Sequence, residues 1–563
     1  MKRIALQIYC MLFLSLVGFS VLNGQQSNTN QTSEKVVLFS DRTLYIAGER
    51  ILFSAFLQSG SRPDQDEPSR VLYCEIISPD GNKIAGNKYL INNSLASGYL
   101  AIPDDIITGF YYLRAYTKFM RNYGPNNYHY TCIRIVNANR SEVQSVMGNN
   151  TLSEILSVED NPEKKGGSFI ISTDKSEYST RDTVRISIDG TATIPSWKGL
   201  NLAVVPEFSI TPDKLIFPEN SQSEKGVLYY PETRGLSLTG KLTDNRTGNP
   251  MPGTRVNLSV IGRGKDFMAV QTDTAGRFFF SLPDYTGSRD LFLCAENTGT
   301  SDPKILIDND YCTVPVHLPS NIFTLTPQER EAAYNMAVNK QLGSYFKIDS
   351  IPDSQNQQPE DQAFYGKPNE IFYIDKFVQL PTLEDYFNEL INLAKVRKRQ
   401  GGKYFKVLGT QTGLTDFDPL ILVDLVAVDN PALVLAIPPL NISRIEVVNM
   451  LYVKGDQTYG GIINIISKRG DFAGIDLPSS GVFINYGFLA GSSHYPGNNP
   501  PPQHFPDTRN TLFWEPHLVL NKGNTAKLSF TTADTPGRYL IILKGINLSG
   551  EPFSKSVSFR VIK

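Results

Sequence analysis

The chain has 563 residues, with 54 Lys and Arg against 56 Asp and Glu, for a formal net charge of −2. That near-balance removes any electrostatic case for nucleic acid, which needs a basic field. The length fits roughly three to five domains.

Lys2 and Arg3, the largely apolar run Ile4 to Val21 and the polar Gln25-Gln26-Ser27 read as a secretory signal over residues 1–24. Gln7, Ser15, Gly18 and Ser20 dilute the run, which favours cleavage near Gly24 over an uncleaved anchor. Its removal takes the charge to −4, because residues 1–24 hold two cations and no acid. Cys10 lies inside the apolar run, so lipidation at a cysteine after the cleavage site is not expected. No later segment reaches 18 apolar residues, and no transmembrane segment is expected in the mature chain.

From residue 34 to about 316, aromatic and β-branched residues alternate with polar ones between Gly, Pro, Asn and Asp breaks, the pattern of β-sandwich modules. A repeat organises the first half. Ser40-Asp41-Arg42-Thr43-Leu44-Tyr45 with Glu49-Arg50-Ile51 aligns with Thr173-Asp174-Lys175-Ser176-Glu177-Tyr178 with Asp182-Thr183-Val184, at a constant offset of 133. Asp and the base suit a turn, Tyr offers an apolar body with a polar tip, and the aliphatic opens the next strand. The block resembles the opening of macroglobulin-like domains. The resemblance implies one sandwich over 34–137 and a second, shorter, macroglobulin-like or Ig-like one over 167–232. The Asn-, Ser-, Glu- and Gly-rich stretch 138–166 reads as the linker between them. The thioester segment Cys-Gly-Glu-Gln of macroglobulin proteinase traps is missing, since Cys74 is followed by Glu75-Ile76-Ile77. The resemblance therefore implies a module fold and not inhibitor activity.

Export leaves Cys74, Cys132, Cys294 and Cys312. An oxidising compartment permits Cys74–Cys132 and Cys294–Cys312 disulfides, and the rival reading is four small buried side chains in strands. Both readings stay open from sequence. No spacing fits a zinc site.

Gly240-Lys241-Leu242-Thr243-Asp244, Thr247-Gly248-Asn249-Pro250-Met251-Pro252-Gly253 and Thr272-Asp273-Thr274-Ala275-Gly276-Arg277-Phe278 resemble the carboxypeptidase-regulatory-like domain. That implies a small β-sandwich over 236–316 without a hydrolase centre. Thr326-Pro327-Gln328-Glu329 sets a hydroxyl N-cap, Pro at N1 and an acid at N3, predicting a linking helix over 326–342. A second capped helix is predicted from Thr382 with Asp385 at N3. Its apolar face is Leu383, Tyr386, Phe387, Leu390 and Ile391. Lys395-Val396-Arg397-Lys398-Arg399, the densest basic cluster, reads as a solvated helix end or strand edge.

Pro419 to Asp424, then Ser443-Arg444-Ile445-Glu446-Val447-Val448, then Tyr459-Gly460-Gly461-Ile462-Ile463-Asn464-Ile465 follow one another in a fixed order. The blocks resemble the plug domain of TonB-dependent outer-membrane receptors, here over 378–475. The 95 residues after Lys468 are too few for the barrel of about 22 strands, each roughly 9–11 residues, that such a plug fills. Transport is therefore not expected. The roles assigned to Pro419, Asp424, Arg444, Glu446, Tyr459, Gly460, Gly461 and Asn464 are structural. Glu446 either faces solvent or pairs with Arg444 or Lys468. Leu425 stands where the family's turn carries glycine, which places the tight turn in question.

Residues 507–563 read as a C-terminal Ig-like sandwich opened by Asp507-Thr508-Arg509-Asn510-Thr511-Leu512-Phe513-Trp514. This block resembles the C-termini of exported Bacteroidetes-type proteins that combine macroglobulin-like and plug-like parts. The fold class expected is mainly β: tandem sandwiches, a small α+β plug-like domain, then the C-terminal sandwich. Asp182-Thr183-Val184, Asp273-Thr274-Ala275 and Asp349-Ser350-Ile351 resemble the O-glycosylation acceptor of such bacteria, which marks Thr183, Thr274 and Ser350.

Enzyme signatures are absent from the sequence. None of the five histidines sits in an H-E-x-x-H helix, and neither a G-x-S-x-G elbow nor a phosphate loop occurs. No catalytic residue, metal or cofactor is expected. The expectation is a non-enzymatic, exported protein of the periplasm or outer membrane, with a plug-like domain docking to an envelope protein. The alternative is a surface adhesin or glycan-binding protein.

Overall fold

The computed structural model describes residues 34–60, 67–145, 169–190, 197–211, 218, 227–261, 266–296, 301–346, 363–400, 402–455, 457–477, 480–491, 495–548 and 550–563. The signal reading over 1–24, most of the 138–166 linker and Ser350 lie outside these residues. The protein is mainly β, at 47% strand and 13% helix, built from tandem sandwiches as its alternation predicts.

The first sandwich has eight strands: Glu34–Ser40, Leu44–Ile46, Arg50–Ser59, Val71–Ile77, Lys83–Leu90, Leu95–Ala101, Gly109–Tyr116 and His129–Val136. The first, third and sixth make one sheet; the second, eighth, seventh, fourth and fifth, in that order, make the other. The second strand runs parallel to the eighth.

The second sandwich repeats this topology strand for strand, but only half of it lies where the sequence suggested. Its first four strands are Phe169–Thr173, Glu177–Ser179, Thr183–Gly190 and Trp197–Pro206; its last four are Phe513–Glu515, Thr525–Thr531, Gly537–Asn547 and Pro552–Ile562. The sheet orders are again first-third-sixth and second-eighth-seventh-fourth-fifth. The expected units at 167–232 and 507–563 are therefore two halves of one domain. The physical reason is strand count: neither half alone closes two sheets over a core. Val184, Ile186 and Ile188 point inward from one half and pack with Ile541, Leu543 and Phe559 of the other.

Everything between Pro206 and Phe513 is an insertion, and it is itself nested. The third sandwich uses Ser237–Asp244, Arg255–Ile261, Asp266–Gln271, Arg277–Ser281, Ser288–Ala295 and Pro303–Ile307. It is completed by Val482–Gly487, which pairs with Ser288–Ala295. An α+β domain runs between those last two segments. Its five-stranded mixed sheet has the order Glu370–Tyr373, Ile442–Val448, Ile462–Ser467, Leu420–Val423 and Val426–Ala427. The domain thus begins ahead of the expected residue 378.

The domains are joined by buried contacts. Phe56 of the first sandwich packs with Ile546 of the second, and a Cβ on Gly199 would lie 1.9 Å from the Phe56 ring, so glycine is required there. The linking helix, Pro327–Tyr345, carries the expected capping box between Thr326 and Glu329. Ala333, Met336 and Ala337 seat it on Leu44 and Ile46.

None of the four described cysteines forms a disulfide, and the topology keeps both expected pairs apart. Cys74 and Cys132 lie on strands separated by Gly109–Tyr116, where Cys74 faces Ala115 and Cys132 faces Tyr112. Two interstrand spacings of about 4.8 Å exceed the roughly 7 Å a disulfide spans between Cα atoms. Cys294 packs with Val426 of the α+β domain, whereas Cys312 belongs to the core shared with the first sandwich. Burial pushes the Cys294 thiol up to about 12.

Candidate docking surface

The motif residues of the α+β domain are set by a sheet buried on two faces. One face carries the domain's own core, including Leu383 of the short capped helix Leu383–Asp385, Tyr386 and Phe387 of the π-helical turn that continues it, and Ile391 just beyond, so the predicted helix is a brief one. The other meets the third sandwich through Phe267 and Ala269 against Leu420, Leu422, Tyr459 and Ile462. Burial on both faces explains the continuous apolar run after Pro419.

Asp424 and Leu425 make a two-residue turn with φ of 49° and 69°, the hairpin geometry that favours glycine. Leucine is held there by its surroundings. Its side chain is buried against the third sandwich, and its amide donates to Asn464 Oδ1 at 3.3 Å. The Asp424 carboxylate accepts from the Ser467 amide (2.8 Å) and hydroxyl (2.7 Å) and from the Phe472 amide (2.9 Å). Asp424 therefore braces two loops as well as closing the strand.

Glu446 is buried and accepts from Arg444 Nε at 2.7 Å, the first of the pairings foreseen. Lys468 instead meets Asp375 at 2.9 Å. The Tyr365 hydroxyl donates to Glu446 and accepts from Asn464 Nδ2 at 2.7 Å. Burial, then the Glu446 carboxylate, pushes the Tyr365 phenol well up. Tyr365 was not singled out from sequence; its only signal was the aromatic pair Phe364-Tyr365 closing a polar, Pro-rich stretch. Tyr459 is buried near Phe267, with ring centroids 6.2 Å apart.

Gly460 has no room for a side chain. A Cβ there would lie 2.2 Å from the Phe417 carbonyl oxygen and 2.4 Å from that of Leu414, both backbone atoms. Gly460→Ala is expected to destabilise the protein by about 1–3 kcal/mol, read as a lower urea midpoint at unchanged slope. An unchanged midpoint would remove the steric reading. Gly461, at φ +94°, needs glycine for its backbone.

The two sheet edges differ. Val426–Ala427 is buried against the third sandwich. Glu370–Tyr373 pairs only with Ile442–Val448, and its outer side has no backbone partner among the described residues. Phe372 and Ile374 point into the core, while Ile371 and Tyr373 are 42% and 40% exposed. Phe377 and Val378 continue the exposed apolar surface, with Phe377 stacked 4.3 Å from Phe372. The basic cluster lies on a hairpin of Ala394–Arg399 with Gly402–Val407, where Arg397 and Lys398 are exposed. Thr183 and Thr274 are exposed as well, Thr183 at a strand start and Thr274 in a turn.

No protein-family model matches the chain, and no curated protein matches its sequence. Among solved structures it is similar to an alpha-2-macroglobulin of Salmonella, at 10% identity over 94% of this chain and 40% of the other, with a TM-score of 0.23. The native Escherichia coli alpha-2-macroglobulin gives 11% identity over 94% and 40%, also at 0.23. The Yersinia pseudotuberculosis adhesin InvE gives 10% identity over 49% and 58%, at 0.13. The chain spans about 40% of the length of the macroglobulins it matches. With TM-scores this low, the likenesses carry no argument. No helix among the described residues is long and apolar enough to cross a membrane.

Proposed function

We propose that this is a non-enzymatic scaffold and binding protein of the bacterial cell envelope, periplasmic or associated with the outer membrane. The two macroglobulin-like sandwiches act as a rigid spacer, and the α+β domain, taken as plug-like, is the docking element. The observation that supports the reading most is the open edge Glu370–Tyr373 of the α+β sheet, bearing exposed Ile371 and Tyr373 beside Phe377 and Val378. An unpaired apolar edge is a template for a strand from another chain unless charge, proline or a covering element blunts it. This strand holds no proline or lysine, and its one charge, Glu370, is taken up by the backbone amides of Asn392 and Leu393. The partner inferred is an envelope protein that adds an extended segment there.

The test is crosslinking and affinity purification of the full chain from detergent-solubilised membranes, with crosslinks mapped by mass spectrometry. Crosslinks from residues 370–378 to an envelope protein, lost in Ile371→Lys with Tyr373→Lys, are the expected result. A partner retained by that double variant, or crosslinks confined to the sandwiches, overturns the reading.

A further inference from the structure

A cleft of about 150 Å³ opens where three elements meet: the linking helix, the turn Glu207–Ser209 at which the chain leaves the second sandwich, and residues 535–539. It lies away from the docking edge, and the inference does not rest on that reading. The cleft floor is fixed by its own hydrogen bonds. Asn339 Nδ2 donates to Asn510 Oδ1 at 2.9 Å, and Thr535 Oγ1 donates to Asn339 Oδ1 at 3.0 Å. Asn510 Nδ2 in turn donates to Glu49 Oε1 at 2.7 Å. Beside it Arg509 is held by both oxygens of Asp507, at 2.8 and 2.6 Å. One wall carries the ion pair Arg538–Glu207 at 3.0 Å.

The helix wall is different. Gln328, Glu331 and Asn335 are spaced by three and four residues, so they line one helix face toward the cleft. None of the three side chains has a hydrogen-bond or ion-pair partner among the described residues. The cleft is also lined by Phe208, a residue 41% exposed, with Pro206 and Pro536.

The chemistry narrows the ligand by elimination. A phosphate or carboxylate would meet Glu207 and Glu331, while both arginines are already paired with carboxylates. A cationic side chain would find only Glu331 unpaired, with Glu207 already neutralised, and would face two guanidinium groups, Arg509 and Arg538. An aliphatic side chain would strip water from two amides and a carboxylate and return no hydrogen bond. Vicinal hydroxyls both donate and accept, so they satisfy amides, carboxylate and guanidinium together. The apolar face of a pyranose ring suits Phe208 and the prolines. The volume matches a space of about 150 Å³ known to take one six-membered ring, and falls below the roughly 300–1,000 Å³ of larger ligand pockets.

We propose that this cleft binds a single sugar residue, the terminal pyranose of a glycan, between the helix face Gln328-Glu331-Asn335 and the Phe208 ring. The affinity expected for one ring in an open cleft is weak, in the millimolar range. The test is saturation-transfer NMR on the full chain with methyl glycosides of glucose, galactose, mannose, fucose and N-acetylglucosamine, and with N-acetylphenylalaninamide as a peptide-like control. Transfer to the ring protons of at least one glycoside is expected. It should fall to background in Asn335→Ala and in Phe208→Ala. Both side chains are at least partly exposed, so an unchanged melting temperature verifies the fold of each variant. Absence of transfer to every glycoside overturns the proposal. So does transfer that survives both substitutions, or transfer to the peptide-like control alone.

Discussion

Asp41→Ala is expected to lower folding stability by about 3–5 kcal/mol, whereas Asp174→Ala, at the equivalent position of the repeat, is expected to cost only about 0.5–1.5 kcal/mol. The two residues do the same local work. Asp41 Oδ1 accepts from the Tyr45 hydroxyl at 2.7 Å and the Leu52 amide at 3.1 Å; Asp174 Oδ1 accepts from the Tyr178 hydroxyl at 2.6 Å and the Arg185 amide at 2.9 Å. In each copy the tyrosine hydroxyl then accepts from the amide of the base, Arg42 or Lys175. What differs is the surroundings. Asp41 is fully buried, and its second oxygen holds Arg42 Nε at 3.3 Å and the Thr511 hydroxyl at 2.6 Å. Its removal leaves Glu49, at 3.2 Å, as the only carboxylate on the buried Arg42 guanidinium, and takes away the acceptor of the Thr511 hydroxyl. Asp174 is 29% exposed, its ion-pair partner Arg185 is 73% exposed, and water replaces much of what is lost. Urea unfolding of the two single variants decides the matter. Equal costs at both sites would mean that burial does not set the worth of this motif.

That contrast also marks the limit of what the sequence made legible. The repeat was readable because all its bonds close within about a dozen residues, so spacing alone carries the geometry. The capping boxes at Thr326 and Thr382 were readable for the same reason. Strand alternation announces a strand and its buried face, but not its partner. The 167–232 stretch therefore looked like a short domain and 507–563 like a complete one, although each supplies four strands to a single sandwich. Counting strands exposes the difference: Phe169–Thr173 and the three strands after it make four, half of the eight in the first copy. The block Asp507 to Trp514 was noticed, yet its task depends on distant residues. Asn510 and Thr511 donate to Glu49 and Asp41 of the first copy, which clamps the chain where it re-enters the second. The α+β motifs behaved similarly. The Asp424 turn and the Gly460-Gly461 pair were local and legible, whereas Tyr365 and the buried state of Glu446 required the packing of the third sandwich.

Lys118→Met is expected to cost about 3–5 kcal/mol at neutral pH and markedly less near pH 5. Lys118 is buried between the first and third sandwiches, donating to the Ser237 carbonyl at 2.9 Å and its hydroxyl at 3.2 Å. It lies 3.4 Å from Asp310 and 3.7 Å from Glu232, and Lys88 holds the other oxygen of Asp310. Methionine keeps much of the stem's length without the charge, so the substitution leaves two carboxylates facing one ammonium in a site closed to water. Burial raises the Glu232 carboxyl above its ordinary 4.5, against the opposing pull of Lys118. A carboxyl raised in the folded state contributes stability below 4.5 and loses it as pH rises through the folded value. Without Lys118 that folded value moves further up, so the variant's deficit grows with pH above about 4.5. Asp310 acts in the same direction. Burial alone would lift it, yet Lys118 and then Lys88 hold it below 3.8, and it contributes only once ionised. The wild type gains more from that ionisation than the variant does. Urea unfolding of both proteins at pH 5 and pH 7.5 gives the deficit at each. A deficit equal at the two values, or absent at pH 7.5, would show that the carboxylates do not depend on this ammonium. The consequence reaches the α+β domain, because the third sandwich that Lys118 anchors is also the wall against which its sheet is packed.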